Sequence, residues 1–195
     1  MTLTLVALAT HETIIKKSRF TVLAAPAVDP DAAMQFVQAN RNTAANHNCW
    51  AYRIGEQYRF SDDGEPGGTA GRPILAAIDG QQLDYVVVVV TRFFGGIKLG
   101  TGGLVRAYGG SAAECLRIAA RIEHKDRVAV EICIPYDAIG AIYPLIDRFM
   151  ASKLGEECSD NGVVMRVDLA ADDVETMKQC VMDATRGVGR LLVIK

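Results

Sequence analysis

The chain has 195 residues, half of them apolar, and 21 Lys and Arg against 23 Asp and Glu leave a formal charge of −2. That is enough to bury one large core or two small ones. No apolar run is long enough to cross a bilayer, and the start of the chain does not join a charged segment to a long hydrophobic one and a small-residue cleavage site, so a folded cytoplasmic protein with no membrane partner is expected.

Taken in chain order, Phe20 to Ala25 reads as a strand. Asp29-Pro30 then supplies an N-cap and the residue best tolerated at a helix start, with Ala33, Phe36, Val37 and Asn40 at helical spacing behind it. Cys49 to Ile54 and Gln57 to Phe60 read as a hairpin turning at Gly55-Glu56. Beyond a loop from Ser61 to Gly71, Pro73 belongs in the first turn of a short helix that starts near Arg72 and buries Ile74, Leu75 and Ile78. The all-valine run Val86 to Val90 is a buried strand. A glycine-rich loop follows, and then Leu104, Tyr108, Ala112, Cys115 and Ala119 form the apolar stripe of a helix laid against a sheet.

The composition changes near Glu123. Residues 1–122 carry twelve Lys and Arg against ten Asp and Glu, whereas residues 123–195 carry nine against thirteen, so a surface for a polyanion belongs on the first part. Twelve of the eighteen glycines lie between Ser61 and Gly110, which points the same way. The expected domains are therefore 1–123 and 124–195. In the second, Val128, Val130, Ile132 and Ile134 alternate as in a half-buried strand. A helix over Ile139 to Met150 comes next. Leu154 to Ser159 and Val163 to Leu169 flank Asn161-Gly162, a dipeptide suited to a tight hairpin turn. A helix from near Asp172 to Gly187 and a strand from Leu191 to Ile194 complete the order βαββαβ, that of a ferredoxin-like domain.

Five cysteines (Cys49, Cys115, Cys133, Cys158, Cys180) are odd in number and form no Cys-x-x-Cys pair, so they read as reduced, mostly buried thiols. The histidines His11, His47 and His124 do not join them at metal-ligand spacing, although His47 and Cys49 alternate on one strand. No metal and no cofactor are expected. A serine-histidine-acid signature, a redox cysteine pair and a dinucleotide fingerprint are all absent from the sequence, which ranks hydrolase and oxidoreductase readings low.

The chemistry concentrates in Thr91-Arg-Phe-Phe-Gly-Gly-Ile-Lys-Leu-Gly-Thr-Gly-Gly-Leu104. A buried strand that breaks into a cationic, glycine-dense loop and then enters a helix presents backbone N–H groups to an anion. There Arg92 and Lys98 supply charge and Thr101 a hydroxyl. Gly95, Gly96, Gly100, Gly102 and Gly103 permit close backbone approach, Arg106 lies a turn into the helix, and one of the adjacent Phe93 and Phe94 faces outward where it can stack on a base. The competing reading is a tight strand-to-helix crossing with both phenylalanines in the core. The loop before it carries Asp62, Asp63 and Glu65. These are read as turn caps and as a carboxylate pairing Arg72 or Arg92, the alternative being a magnesium site or a general base beside a phosphate held by Arg72 and the second loop. His47, beside Asn46, Asn48 and Trp50, is read as structural, with proton transfer as its other role.

Phe60-Ser-Asp-Asp-Gly-Glu-Pro-Gly-Gly-Thr-Ala-Gly-Arg-Pro73 and Arg92-Phe-Phe-Gly-Gly-Ile-Lys-Leu-Gly-Thr-Gly-Gly-Leu-Val-Arg-Ala-Tyr-Gly109, with Lys16-Lys17-Ser18-Arg19-Phe20, resemble the IMPACT family in its bacterial YigZ-type branch. The second part matches by layout more than by motif. The resemblance implies an α+β protein of two α/β-sandwich domains. The first is expected to be a sheet with helices on one face and a left-handed βαβ crossover, like domain four of elongation factor G. The second is expected to resemble domain five of that factor. It also implies a translation-linked role, since eukaryotic members are implicated in restraining a starvation-responsive kinase through a ribosome-associated partner. Two functions follow for testing. One is a noncatalytic protein whose glycine loop and basic edge engage RNA or the ribosome, with the acidic second domain orienting it or meeting a translation-associated protein. The other is a nucleotide- or magnesium-dependent phosphate-handling enzyme using the same loop.

Overall fold

Val86 to Val90 are all fully buried, which a strand achieves only when both faces of its sheet are covered. The computed structural model describes residues 2–194 and divides them into two units that meet between His124 and Lys125.

The first unit contains β1 (Leu3–Leu5), β2 (Ala9–Ile15), β3 (Ser18–Pro26), α1 (Pro30–Ala39), β4 (His47–Ile54), β5 (Gln57–Ser61), α2 (Gly71–Gly80), β6 (Val86–Phe93), α3 (Thr101–Ile118) and β7 (Arg121–Glu123). Five of these strands form an antiparallel sheet in the order β2-β3-β6-β4-β5, with the valine strand at its centre. On one face Val86, Val88 and Val90 join Phe20, Val22 and Cys49 under Ile74 and Ile78 of α2 and Leu104, Tyr108 and Cys115 of α3. On the other, Val87 and Val89 join Tyr52 and Ile54 under Ala33 and Val37 of α1. Helices on one face alone were expected; α1 covers the second face because alternate valines point there and cannot be left in water.

Local signals explain the helix starts. Asp29 accepts the Ala32 N–H at 2.7 Å ahead of Pro30. Pro73 sits in the first turn of α2, which buries Ile74, Leu75 and Ile78. Three strands escaped the sequence reading. β1 and β7 are three-residue partners from opposite ends of the unit. β2 is an edge strand with no fully buried residue, so its apolar alternation is faint.

The second unit contains β8 (Arg127–Ile134), α4 (Ile139–Arg148), β9 (Ser152–Ser159), β10 (Gly162–Ala170), α5 (Val174–Ala184) and β11 (Arg190–Val193). Its antiparallel sheet runs β11-β8-β10-β9, the ferredoxin-like arrangement. Val130, Ile132, Met165 and Val167 pack with Ile142 of α4 and with Met177 and Val181 of α5. The β9–β10 turn corrects the expectation by one residue. Ser159 pairs with Gly162, so Asp160 and Asn161 make the turn, and Gly162 opens the return strand. There φ is +148°, and a Cβ would lie 2.1 Å from the Ile134 carbonyl oxygen. Among the described residues no helix is long and apolar enough to cross a membrane.

Candidate functional site

The acidic loop after β5 sends its three carboxylates in different directions. Asp62 Oδ1 accepts the N–H groups of Ala70 and Gly71 at 2.9 and 2.8 Å, and Oδ2 accepts that of Gly68 at 2.8 Å. It therefore caps α2 from eight residues upstream of Ala70, where an anion meets the positive end of the helix. Burial alone would raise this carboxyl, yet the N–H groups of Gly68, Gly71 and Ala70 outweigh it and hold the carboxyl below its ordinary range. Asp63 accepts the Asn48 N–H at 2.7 Å and pairs with Arg41 at 3.3 Å. Glu65 turns inward and is buried. The three do not converge: among the described residues no group of three or more His, Cys, Asp and Glu is arranged to hold a metal ion.

Glu65 Oε1 meets Arg92 Nη1 at 2.5 Å and accepts the Tyr108 hydroxyl at 2.7 Å. Arg92 is only 5% exposed. Its guanidinium also donates to Ser18 Oγ at 3.3 Å and lies between the rings of Phe20 and Phe94, 5.5 and 5.6 Å from their centres. Its Nε is buried with no hydrogen-bond partner among the described residues. Burial pushes the Tyr108 hydroxyl far above its ordinary value and the neighbouring Cys49 thiol up to about 12, so both stay protonated. His47 borders the same cluster. Its Nδ1 lies 2.9 Å from the Asp63 carbonyl oxygen, which only accepts, so that nitrogen carries the proton. Nε2 then faces Glu65 Oε1 at 3.8 Å.

The second loop leaves β6 over this cluster. Phe93 is half-buried under the Arg19 guanidinium, 4.4 Å from its ring centre, whereas Phe94 is 47% exposed and held by an N–H donated to Asn46 Oδ1 at 2.7 Å. Gly96 and Gly100 have φ of +84° and +74°, a region open to glycine. α3 then starts at Thr101. Its first N–H groups have no intrahelical partner, and Gly100 at the N-cap has no side chain to take them.

These elements enclose a cavity of about 410 Å³, within the range of small-ligand sites (~300–1,000 Å³). Phe94, Leu99 and Leu104 give apolar walls, Arg92, Glu65 and His47 a polar floor, and Lys98 with Thr101 a cationic and hydroxyl rim at the start of α3. Of the residues singled out in the loop sequence, Arg92, Phe94, Lys98, Gly100 and Thr101 line it. Arg72 and Arg106 are exposed and do not. Gly95 serves the fold: a Cβ there would stand 1.9 Å from the Lys17 carbonyl oxygen, so the close approach it permits is to the β2–β3 turn and not to a ligand. Gly102 and Gly103 lie in the first turn of α3. Asn46 and His47 line the cavity and Tyr108 bonds to its floor through Glu65, whereas the sequence reading takes His47 as structural with proton transfer as its other role and Tyr108 as part of an apolar stripe. The signal for Tyr108 was a hydroxyl on an otherwise apolar stripe.

Residues 16–116 match the family model of the Impact N-terminal domain. The chain is 53% identical over 133 residues to an IMPACT family member of Thermus thermophilus, covering 68% of this chain and 74% of that protein. It is 36% identical over 188 residues to the IMPACT family member YigZ of Escherichia coli (strain K12), covering 93% and 92%. A crystal structure described as that of a hypothetical protein superposes with a TM-score of 0.72 at 35% identity, covering 99% of this chain and 97% of the other.

Proposed function

The chain belongs to the IMPACT family, and from that premise we propose that its first unit is the business end of a noncatalytic, translation-linked cytoplasmic protein that binds RNA phosphates at the glycine-rich loop. The observation that carries the reading is the shared opening of Phe94, Lys98, Thr101 and the start of α3 onto one cavity. A phosphate seated at the helix start meets unpaired N–H groups, a hydroxyl and an ammonium. A base attached to that phosphate has the exposed face of Phe94 to stack on. Arg92 contributes differently from a free cation, because Glu65 already neutralises it; it stiffens the floor beneath Phe94.

The test is binding of a labelled single-stranded RNA, with ribosome co-sedimentation in parallel, across a salt series. Lys98→Ala is expected to lower the salt slope by ~0.7, the loss of one phosphate contact to a single strand. Phe94→Ala is expected to weaken binding by about 1–3 kcal/mol with the slope unchanged. Salt-insensitive binding, or wild-type behaviour in both variants, sinks the reading.

One observation favours a second reading, a phosphate-handling enzyme in the same cavity: His47 has its tautomer fixed by Asp63 and lines the cavity floor, the posture of a general base. A ligand that binds only the folded state raises its melting temperature; an unchanged melting temperature with ATP and magnesium removes this option.

A further inference from the structure

The loop carrying Phe93 and Phe94 leans on a second cationic element. Ile15 pairs with Ser18, so β2 and β3 are joined by Lys16 and Lys17 alone. Both lysines have positive φ, 46° and 68°, the conformation of a two-residue hairpin turn that Asn and Gly adopt readily and lysine does not. Strained backbone of this kind persists where the surroundings enforce it, and it gathers at functional sites. Here the enforcement is visible: Gly95 sits directly on the Lys17 carbonyl, and its N–H donates to Ser18 Oγ at 3.3 Å. One residue further on, Arg19 is the register partner of Phe93 and covers its ring. Lys16, Lys17 and Arg19 are exposed, and among the described residues none of them pairs with a carboxylate. The antiparallel register puts these cations at the same end of the sheet as Phe94 and the loop that bears Lys98.

We infer that the Lys16–Lys17 turn and Arg19 form a second phosphate-binding segment, continuous with the cavity, and that the RNA is a single strand longer than one nucleotide. Resting on the RNA reading above, the inference has the strand leave the cavity past Phe94 and Phe93 and cross the hairpin tip. Cations interleaved with aromatic rings suit an unpaired strand, whose bases expose faces for stacking; a duplex hides those faces. Asparagine or glycine would relieve this backbone but would remove the two positive charges that neutralise phosphate.

The test is hexauridylate binding to the full chain over a salt series, with melting temperature read alongside. The variants are Lys16→Asn with Lys17→Gly, Arg19→Gln, and Lys98→Gln. Two lost phosphate contacts are expected to lower the salt slope by ~1.4 in the tip variant, which is about 25-fold in affinity at ~0.1 M salt, and Arg19→Gln to lower it by ~0.7. The melting temperature of the tip variant is expected to equal or exceed that of the wild type, since Asn-Gly fits the turn. Opposite effects on stability and binding are the signature that a merely structural turn would not give. A wild-type slope in the tip variant and in Arg19→Gln, with Lys98→Gln lowered, overturns the inference and leaves the RNA reading standing. A tip variant that loses stability along with binding also overturns it. Absence of salt-dependent hexauridylate binding by the wild type takes down both.

Discussion

Arg92→Ala is expected to destabilise the first unit by about 3–5 kcal/mol, the cost of leaving one member of a buried ion pair alone. Arg92 and Glu65 are both nearly inaccessible, 5% and 9% exposed, and meet at 2.5 Å. Without the guanidinium, Glu65 keeps, among the described residues, the Tyr108 hydroxyl as its one close donor, and Phe20 and Phe94 lose the cation against their rings. Unfolding entropy of ~2.1 cal/mol/K per residue gives a unit of about 124 residues ~0.26 kcal/mol/K, so the melting temperature falls by ~12–19 °C. Trp50 is the only tryptophan of the chain and lies on β4, so its fluorescence in urea follows this unit without interference from the second.

The pair gives a sharper second reading. Glu65→Gln removes the carboxylate and still accepts the tyrosine hydroxyl. With Arg92→Met added, neither charge is left buried, and the double variant is expected to be more stable than the sum of the single losses predicts by at least ~2 kcal/mol. A loss below ~1 kcal/mol for Arg92→Ala, the range of exposed pairs, together with additive behaviour, would refute the buried pair as the support of the cavity floor.

Four further outcomes are checkable by simple means. Gly95→Ala forces a methyl group into the Lys17 backbone and is expected to cost about 2–3 kcal/mol or more, whereas Gly96→Ala meets no neighbour and suffers mainly from its positive φ, about 1–2 kcal/mol; urea curves showing the reverse order refute the assignment of their roles. Because the Asp62 carboxyl lies lower in the folded state than its ordinary 3.8, the stability it contributes is present above that value and is lost as pH falls through the folded one; Asp62→Asn is therefore expected to flatten the acid limb of a stability-against-pH curve, and an unchanged limb contradicts the capping role. Thiol labelling at neutral pH is expected to modify exposed Cys158 at once and Cys49 and Cys115 only on unfolding. Burial pushes those two thiols from 9.0 to about 12 and about 11, so folding stability also declines as pH rises above about 9.

The elements built from local rules were legible in the sequence: a capped helix at Asp29-Pro30, a buried all-valine strand, a helix whose apolar stripe runs from Leu104. What was not legible depends on register and on distant chain. Spacing could not choose between Arg72 and Arg92 as the partner of Glu65. The choice is made by β6 pairing with β4, which sets Arg92 opposite His47 and over the acidic loop, while Arg72 leaves on the outer side of α2. The same pairing draws His47 into the cavity. Gly95 shows the limit from the other side, since a glycine that admits a ligand and one that admits a neighbouring turn look alike until the β2–β3 hairpin is in place.

Burial therefore sorts the cations of this region by task, and the sorting bears on what binds. With Arg92 neutralised by Glu65, the positive field at the cavity comes from Lys98, from the α3 start, which acts as roughly half an elementary charge, and from Arg106, whose guanidinium reaches back to the Gly102 turn. The total of about two and a half charges exceeds the single charge of one phosphodiester and falls short of the roughly four of a nucleoside triphosphate. Any ligand of higher charge has to find its remaining partners outside the cavity, and the exposed cations at that end of the sheet, which pair with no carboxylate among the described residues, lie strung along a strand and its turn. Such a line neutralises successive phosphates of a chain better than the clustered phosphates of a single nucleotide.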